Sequence, residues 1–474
     1  MSDPTREAEV YETRKDAGDD KTRDVKFWCQ SLDLYQSRFK KWHDKGGDII
    51  GRYRGEFGKA KGQGSFNILR SNVRTLRPAL YSATPIPDVR RRHGDQDPTA
   101  RVASEIMERA VGHQLDDGVF DDTMLSVVQD MLLVGRGVPW VRYEPIVSED
   151  GKSVIDFNVP IEHVFWSDFA HEPCKKWSDV GWGARRHLMT REKIQELTDS
   201  KTAQEINLDV TIGSDDEKAK KDESADASVF KRAECWEIWD AEKREQVWIA
   251  KSWKKGVLAK NSDPLKLENF FPFPRPLYDD HDSSSLIPVP DYESYQNQAE
   301  ELSDLTMRIR KLVQIVKWRG VYDQTIDAME RLQGADDGAL LPSANIQALM
   351  TMPGGSLQNA IWLWPIDIAA AVLQQLYLAR DQVKQTIYEI SGISDILRGA
   401  TDPNETLGAQ QIKANWGGQR VNERQRFVQR VVRDLLRMKA EIMCEHVPFE
   451  LLMQIAGIQL PPKPVQQPQP LMAV

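Results

Sequence analysis

The glycines and lysines crowded into residues 55–65 (GEFGKAKGQGS) are the closest approach of this chain to a phosphate cradle. A Gly-rich turn can aim backbone N–H groups at phosphate, but the P-loop spacing G-x-x-x-x-G-K-[ST] is not met, so the string reads as a flexible basic loop. Two close Cys/His pairs, His171 with Cys174 and Cys444 with His446, could begin a metal site or a nucleophile. Neither has further ligands at zinc spacing. H-E-x-x-H, G-x-S-x-G and a full G-x-G-x-x-G are absent from the sequence. Arg90-Arg91-Arg92-His93 could touch phosphate, although a solvated or salt-bridged face explains it as well. Trp140, Trp166, Trp236, Trp239 and Trp248 sit in strand-like stretches and read as core rather than as a stacking platform. The expectation is no catalytic residue, no metal and no cofactor, hence no enzyme.

The bulk numbers bound the rest. At 474 residues the chain has room for two to three domains. Its 63 Lys+Arg against 72 Asp+Glu give a net charge of −9, so bulk charge does not drive it onto nucleic acid. No stretch approaches a membrane span, and the first 24 residues are a charged mix without the apolar core of a signal peptide. The four cysteines are far apart and form no C-x-x-C pair, which predicts free thiols in a reducing compartment.

The elements follow from periodicity. Residues 1–24 are expected to be disordered. Trp28, Leu32, Tyr35, Phe39 and Trp42 step by 4, 3, 4 and 3, one face of a helix. Helices are predicted over 66–81, 98–117 and 121–134, the second opened by Asp97-Pro98 and the third stopped by Gly135. The period then changes to that of strands: 138–146 paired with 153–159, a further strand over 180–187, and a hairpin of 233–240 with 246–252. Residues 200–228 are Asp/Glu/Lys/Ser-rich and read as an exposed excursion. Residues 25–290 thus form an α+β domain.

The second half is mostly helical. In the helix over 291–317, Leu302, Leu305, Ile309, Leu312 and Val316 make a narrow seam. The twenty-five residues from Glu293 to Lys317 span about 37 Å at 1.5 Å each, and the stripe calls for packing partners. Segment 318–365 is mixed. A second helix covers 366–391, with Val372, Leu376, Ala379, Val383, Ile387 and Ile390 on one face and Gly392 as its cap. A Gly/Asp/Asn/Pro-bearing loop, 392–405, precedes a third helix, 406–446, where Gly417-Gly418 predicts a kink. Val421, Val428, Val431, Leu435, Met438 and Ile442 extend an apolar seam along it. Residues 447–474 end in a Pro/Gln-rich tail. One chain supplies two or three such helices, so copies of itself are their natural complement.

Several strings resemble the portal (head–tail connector) proteins of tailed bacteriophages. They are SNVRTLRPALY at 71–81, MLLVGRGV at 131–138, FFPFPRPLY at 270–278, LIPVPDY at 286–292 leading into QAEEL at 298–302, and IYEISGISDILRG at 387–399 followed by AQQIK at 409–413. The likeness covers roughly residues 66–446 and rests on order and spacing, because none of the strings is a chemical motif.

The resemblance implies a dodecameric ring around a DNA channel, at the capsid vertex in the virion and in the host cytoplasm during assembly. It makes 25–290 the wing, 291–317 and 366–391 the stem helices, and 318–365 the clip. It makes 392–405 the channel-facing tunnel loop, 406–446 a long wing/crown helix, and 447–474 a short crown and tail. Leu302, Leu305, Ile309, Leu312 and Val316 would pack the stem. Asp323, Asp327, Glu330 and Arg331 would dock partners at the clip, with Trp318 and Tyr322 packing at its base. Asp395, Arg398, Asp402, Asn404 and Glu405 would line the channel. The implied partners are other copies, double-stranded DNA without sequence preference, the terminase large subunit that supplies the missing ATPase, the major capsid protein and a head–tail adaptor, with no membrane. The rival classes are another phage structural oligomer (scaffold or baseplate) and a DNA-processing hydrolase, which would need clustered carboxylates for Mg²⁺.

Overall fold

The computed structural model describes residues 21–56, 66–91, 98–116, 119–148, 153–211, 231–315, 320–322, 361–363, 366–393 and 407–458. Helices are mixed with antiparallel sheets. The chain divides into two compact units. The first comprises Met1–Gly51, Arg70–Ser294 and Ser394–Val474, and the second Arg52–Leu69 and Tyr295–Ile393.

The first unit is opened by helix α1 (Lys21–Arg54). Its Trp28, Leu32, Tyr35, Phe39 and Trp42 are all buried, as their spacing predicts. Polar tips fix the helix as well as area. The Tyr35 hydroxyl donates to the Phe169 carbonyl at 2.9 Å, and the Trp42 indole N–H donates to the Val134 carbonyl at 2.8 Å. Helices α2 (Ile68–Leu80), α3 (Pro98–His113) and α4 (Val119–Val134) follow. Helix α4 ends at Gly135, whose φ of +83° is the left-handed cap that glycine takes without cost. Two residues on, a side chain at Gly137 would run into the Val127 carbonyl, so α4 can lie this close to the next strand only because Gly137 has none.

That strand, β1 (Arg136–Val141), is buried along its whole length and pairs antiparallel with β4 (Ile161–Val164). Between them β2 (Glu144–Val147) and β3 (Val154–Asn158) make a separate hairpin. The single strand expected over 138–146 is therefore two. Every residue of β1 is buried and every residue of β2 is exposed, and a turn at Arg142 and Tyr143 separates the two environments.

A larger antiparallel sheet has the order β10–β9–β8–β6–β5, with β7 also on β8. Its strands are β5 (Phe169–His171), β6 (Trp182–Met189), β7 (Val210–Thr211), β8 (Lys231–Asp240), β9 (Glu245–Ala250) and β10 (Ala259–Ser262). Strands β6 and β8 run side by side from Trp182↔Asp240 to Met189↔Ala233, which places the tryptophans of 236–248 in the core as expected. Strand β11 (Leu277–Tyr278) closes the smaller sheet on β1.

The excursion expected from residue 200 is ordered at its start. After α5 (Arg191–Leu197), helix α6 (Ser200–Glu205) is capped by Asp199, which accepts from the Thr202 N–H. Ala203 and Ile206 then bury themselves beside Ala233 and Cys235. Two apolar residues behind a cap were enough to override a polar composition.

The second unit holds most of α7 (Tyr292–Ile315), a ribbon of β12 (Gly320–Tyr322) with β13 (Ile361–Leu363), and α8 (Ile366–Ser391). Helix α9 (Leu407–His446) returns to the first unit and α10 (Phe449–Ala456) packs there. The kink expected at Gly417-Gly418 is absent, and α9 runs unbroken through it. Glycine costs a helix about 1 kcal/mol but leaves its hydrogen-bond ladder intact. The break lies instead in α7 at Tyr295, with φ −127° and ψ 17°.

Two buried charges organise the first unit. Arg136 on β1 is fully buried and donates from one Nη to the Tyr35 hydroxyl and to the Trp166 and Phe169 carbonyls at 3.1–3.2 Å. Its guanidinium lies 4.6 Å from the Trp42 ring centroid, a cation–π contact. Burial, helped by this charge, lowers His43 to about 4 and His171 to about 3, so both stay neutral. Glu237 on β8 is equally buried. It accepts from Arg142 at 2.8 Å, His187 at 2.9 Å, the Trp239 indole at 2.9 Å and Gln246 at 2.8 Å. Burial alone would raise its carboxyl, yet the His187 hydrogen bond and the Arg142 charge bring it down to about 2.

Candidate assembly surface

Among the described residues, helix α8 carries a run of exposed apolar side chains. Its C-terminal end is anchored: Ile387, Tyr388 and Ser391 are buried, and Gly392 at φ +70° turns the chain so that Ile393 is buried too. Its other two-thirds is not. Ile368 is 67% exposed, Leu378 60%, Val372 46% and Tyr377 40%.

These residues do not share one face. Ile368, Val372 and Ala379 follow steps of 4 and 7, while Ala371 and Leu378 form a second row about 100° away. From Ile368 to Ala379 the helix carries no charged side chain, being closed off by Asp367 and Arg380. Apart from Gln374, Gln375 and the Tyr377 hydroxyl the run is apolar, a composition that favours burial. Among the described residues nothing covers this stretch.

Helix α7 presents the opposite case. Of its expected packing seam, Leu302, Leu305 and Ile309 are buried within one chain and Leu312 is half-buried, while Val316 lies outside the described residues. The seam thus serves in good part the subunit's own interior, and Val313 is the large apolar residue α7 leaves open. The stripe on α9 behaves likewise: Val421, Val428, Val431, Leu435, Met438 and Ile442 are all buried in the single chain. The rows that suggested contacts between copies are internal, and the open surface is on α8. The charge-free run at 368–379 is the signal in the sequence that could have found it.

Strands β12 and β13 bring the two ends of segment 318–365 together, with Gly320 opposite Leu363 and Tyr322 opposite Ile361. The intervening chain therefore leaves and returns at one place. Asp323, Asp327, Glu330 and Arg331, and Trp318 beside them, lie outside the described residues, as do Asp395, Arg398, Asp402, Asn404 and Glu405.

The residues first considered for chemistry are placed as follows. His171 sits among Tyr35, Phe39, Phe169 and Trp177, with its Nδ1 2.8 Å from the Glu172 carbonyl. Cys174 is pushed up to about 12 by burial and by Glu172 and Asp179, and Cys444 is raised by the partial burial of its thiol and by Glu445 and Glu441, so neither thiol is an activated nucleophile. Cys444 is exposed, and His446 points to the Leu265 carbonyl. Arg90 pairs with Asp88 on the surface. Among the described residues no three His, Cys, Asp or Glu groups converge as a metal site, and no helix is long and apolar enough to cross a membrane. No family model and no curated protein matches this chain.

Proposed function

We propose that this chain is the subunit of a closed ring, the portal of a tailed bacteriophage. Such a ring carries double-stranded DNA into and out of the capsid and docks in turn the terminase large subunit and the head–tail adaptor. The observation that carries the assembly is the exposed, charge-free surface of α8. It runs for about 18 Å at 1.5 Å per residue, too short for a bilayer and long enough for a helix of a second copy. Head-to-tail contacts close into a ring when their rotation divides a full turn without a rise along the axis. The DNA conduit follows from the ordered strings that resemble portal proteins and from the net charge of −9, since a duplex slides past a surface that does not hold its phosphates. The major capsid protein would surround the ring, and catalysis would belong to the terminase.

Native mass measurement and electron microscopy of the purified protein test this directly. One large species with rotational symmetry and an open axial channel is expected. A monomer that persists at micromolar concentration, or a non-annular oligomer, overturns it.

A further inference from the structure

Asp279, directly after β11 in the first unit, shares its only close cation with a second carboxylate. Arg424 of α9 gives Asp279 two bonds, Nε to Oδ1 at 2.6 Å and Nη2 to Oδ2 at 2.9 Å. The same Nη2 lies 3.3 Å from Asp291, the residue before α7. The Asp279 side chain is 3% exposed, against 15% for Arg424 and 22% for Asp291. Backbone and packing hold the pair in place. The Asp279 N–H donates to the Gly135 carbonyl at 3.1 Å, and Val421 and Val428 are buried on either side of Arg424.

Two carboxylates on one guanidinium leave a negative charge where little water reaches it. The three groups border a cavity of about 720 Å³ whose other charges cancel, Arg275, Arg420 and Arg430 against Asp280, Glu293 and Glu423, with His281 beside them. Lys45 at Glu293 and Asp434 near Arg430 add one charge of each sign. A buried pair of carboxylates relieves such an excess by binding a proton. Burial raises the Asp279 carboxyl most, Arg424 draws it down, and Asp291 and Asp280 push it up, to about 6 against an ordinary 3.8.

We propose that Asp279, Asp291 and Arg424 form a proton-operated latch between the stretch after β11 and α9, tightening on acidification. Opening the contact exposes Asp279 and returns its carboxyl to the ordinary value, so the closed form is the one that holds the proton. The added stability is fully present below about 3.8 and is lost as the pH rises through about 6. The protonated carboxyl still accepts from Arg424 through its carbonyl oxygen, and Asp291 then balances the guanidinium one to one. The latch lies within one copy and does not depend on closure of a ring.

Hydrogen exchange of the full-length protein is the test, read by mass spectrometry over residues 277–292 and 418–430 and corrected for intrinsic rates. Between pH 7.5 and pH 5, protection of both stretches should rise about tenfold. The sign is opposite to that of the neutral His43 and His171, so unfolding of the whole subunit does not mimic it. Asp279→Asn should give level protection across the range. Asp291→Asn removes the second carboxylate and should move the midpoint of the rise to lower pH, which decides the matter if Asp279→Asn folds poorly. Protection in the native protein that stays flat or falls with acid overturns the proposal. A rise that persists in Asp279→Asn does so too, because His281 or Glu423 would then carry the proton, and so does an unmoved midpoint in Asp291→Asn.

Discussion

Glu237 shows how far side-chain partners can outweigh burial. Replacing it by Gln leaves Arg142 buried with Glu162 alone, at 3.2 Å, and should cost about 3 kcal/mol in chemical denaturation of the first unit. The pH dependence has a definite sign. The carboxyl lies at about 2 in the folded chain against an ordinary 4.5, so its contribution is fully present above about 4.5 and is lost as the pH falls towards 2. His43 and His171 act in the same direction from a higher starting point. Held neutral at about 4 and about 3 against an ordinary 6.5, they stabilise fully above 6.5 and lose that contribution on acidification. Thermal melts from pH 7 to pH 3 should therefore show a steadily falling Tm, with the Glu237→Gln protein flatter than the native one below pH 4.5. Parallel curves would show that Glu237 has no such shift.

At the scale of elements, two helices make contrasting demands. Helix α4 needs the missing side chain of Gly137, and Gly137→Ala should destabilise the first unit by about 2 kcal/mol or more, because backbone has to move to admit one methyl group. Helix α8 leaves apolar side chains in water, and the proposed ring would cover them. Val372→Asp combined with Leu378→Asp places charges on surfaces that a single chain leaves in water, so the subunit should keep its circular dichroism and its melting temperature. Assembly should be lost, read by sedimentation velocity. Intact assembly in the double variant would remove α8 from the contact between copies. The hairpin β2–β3 exposes Ile146, Val147 and Ile155 and is a second apolar surface, in the first unit.

For the whole molecule, the loop at 392–405 carries the prediction that separates a conduit from any other ring. Asp395, Asp402 and Glu405 against Arg398 give it a net charge of −2, which repetition around a ring would turn into a collar repelling duplex from the wall. Asp402→Lys with Glu405→Lys should leave the particle mass unchanged and slow DNA passage, most strongly at low salt where screening is weakest. Equal translocation at low salt, in rings verified to contain both lysines, would take the loop out of the channel. Reversing Asp327 and Glu330 should likewise spare the ring and impair packaging, measured as DNA protected from nuclease.

The sequence by itself determined where the long helices lie and which face of α1 is inside, because a period of 3.6 is a local property that tertiary context only had to accept, whereas the short helices at 191–197, 200–205 and 449–456 were not legible in it. It also determined that the tryptophans of the strands are core and that α4 ends at Gly135. What tertiary structure decided was the destination of each apolar row. The stripes on α7 and α9 look like seams for another copy, but a periodic row says only that one face is buried and not what buries it. Packing assigned them largely to the subunit itself, and left open the first part of α8, where Val372 belongs to a row that looks no different in the sequence from the buried ones. Arg136 and Glu237 were illegible for a related reason. A charged residue in a strand reads as exposed until its hydrogen-bond partners are known, and these come from residues as distant in sequence as Tyr35 for Arg136 and Arg142 for Glu237.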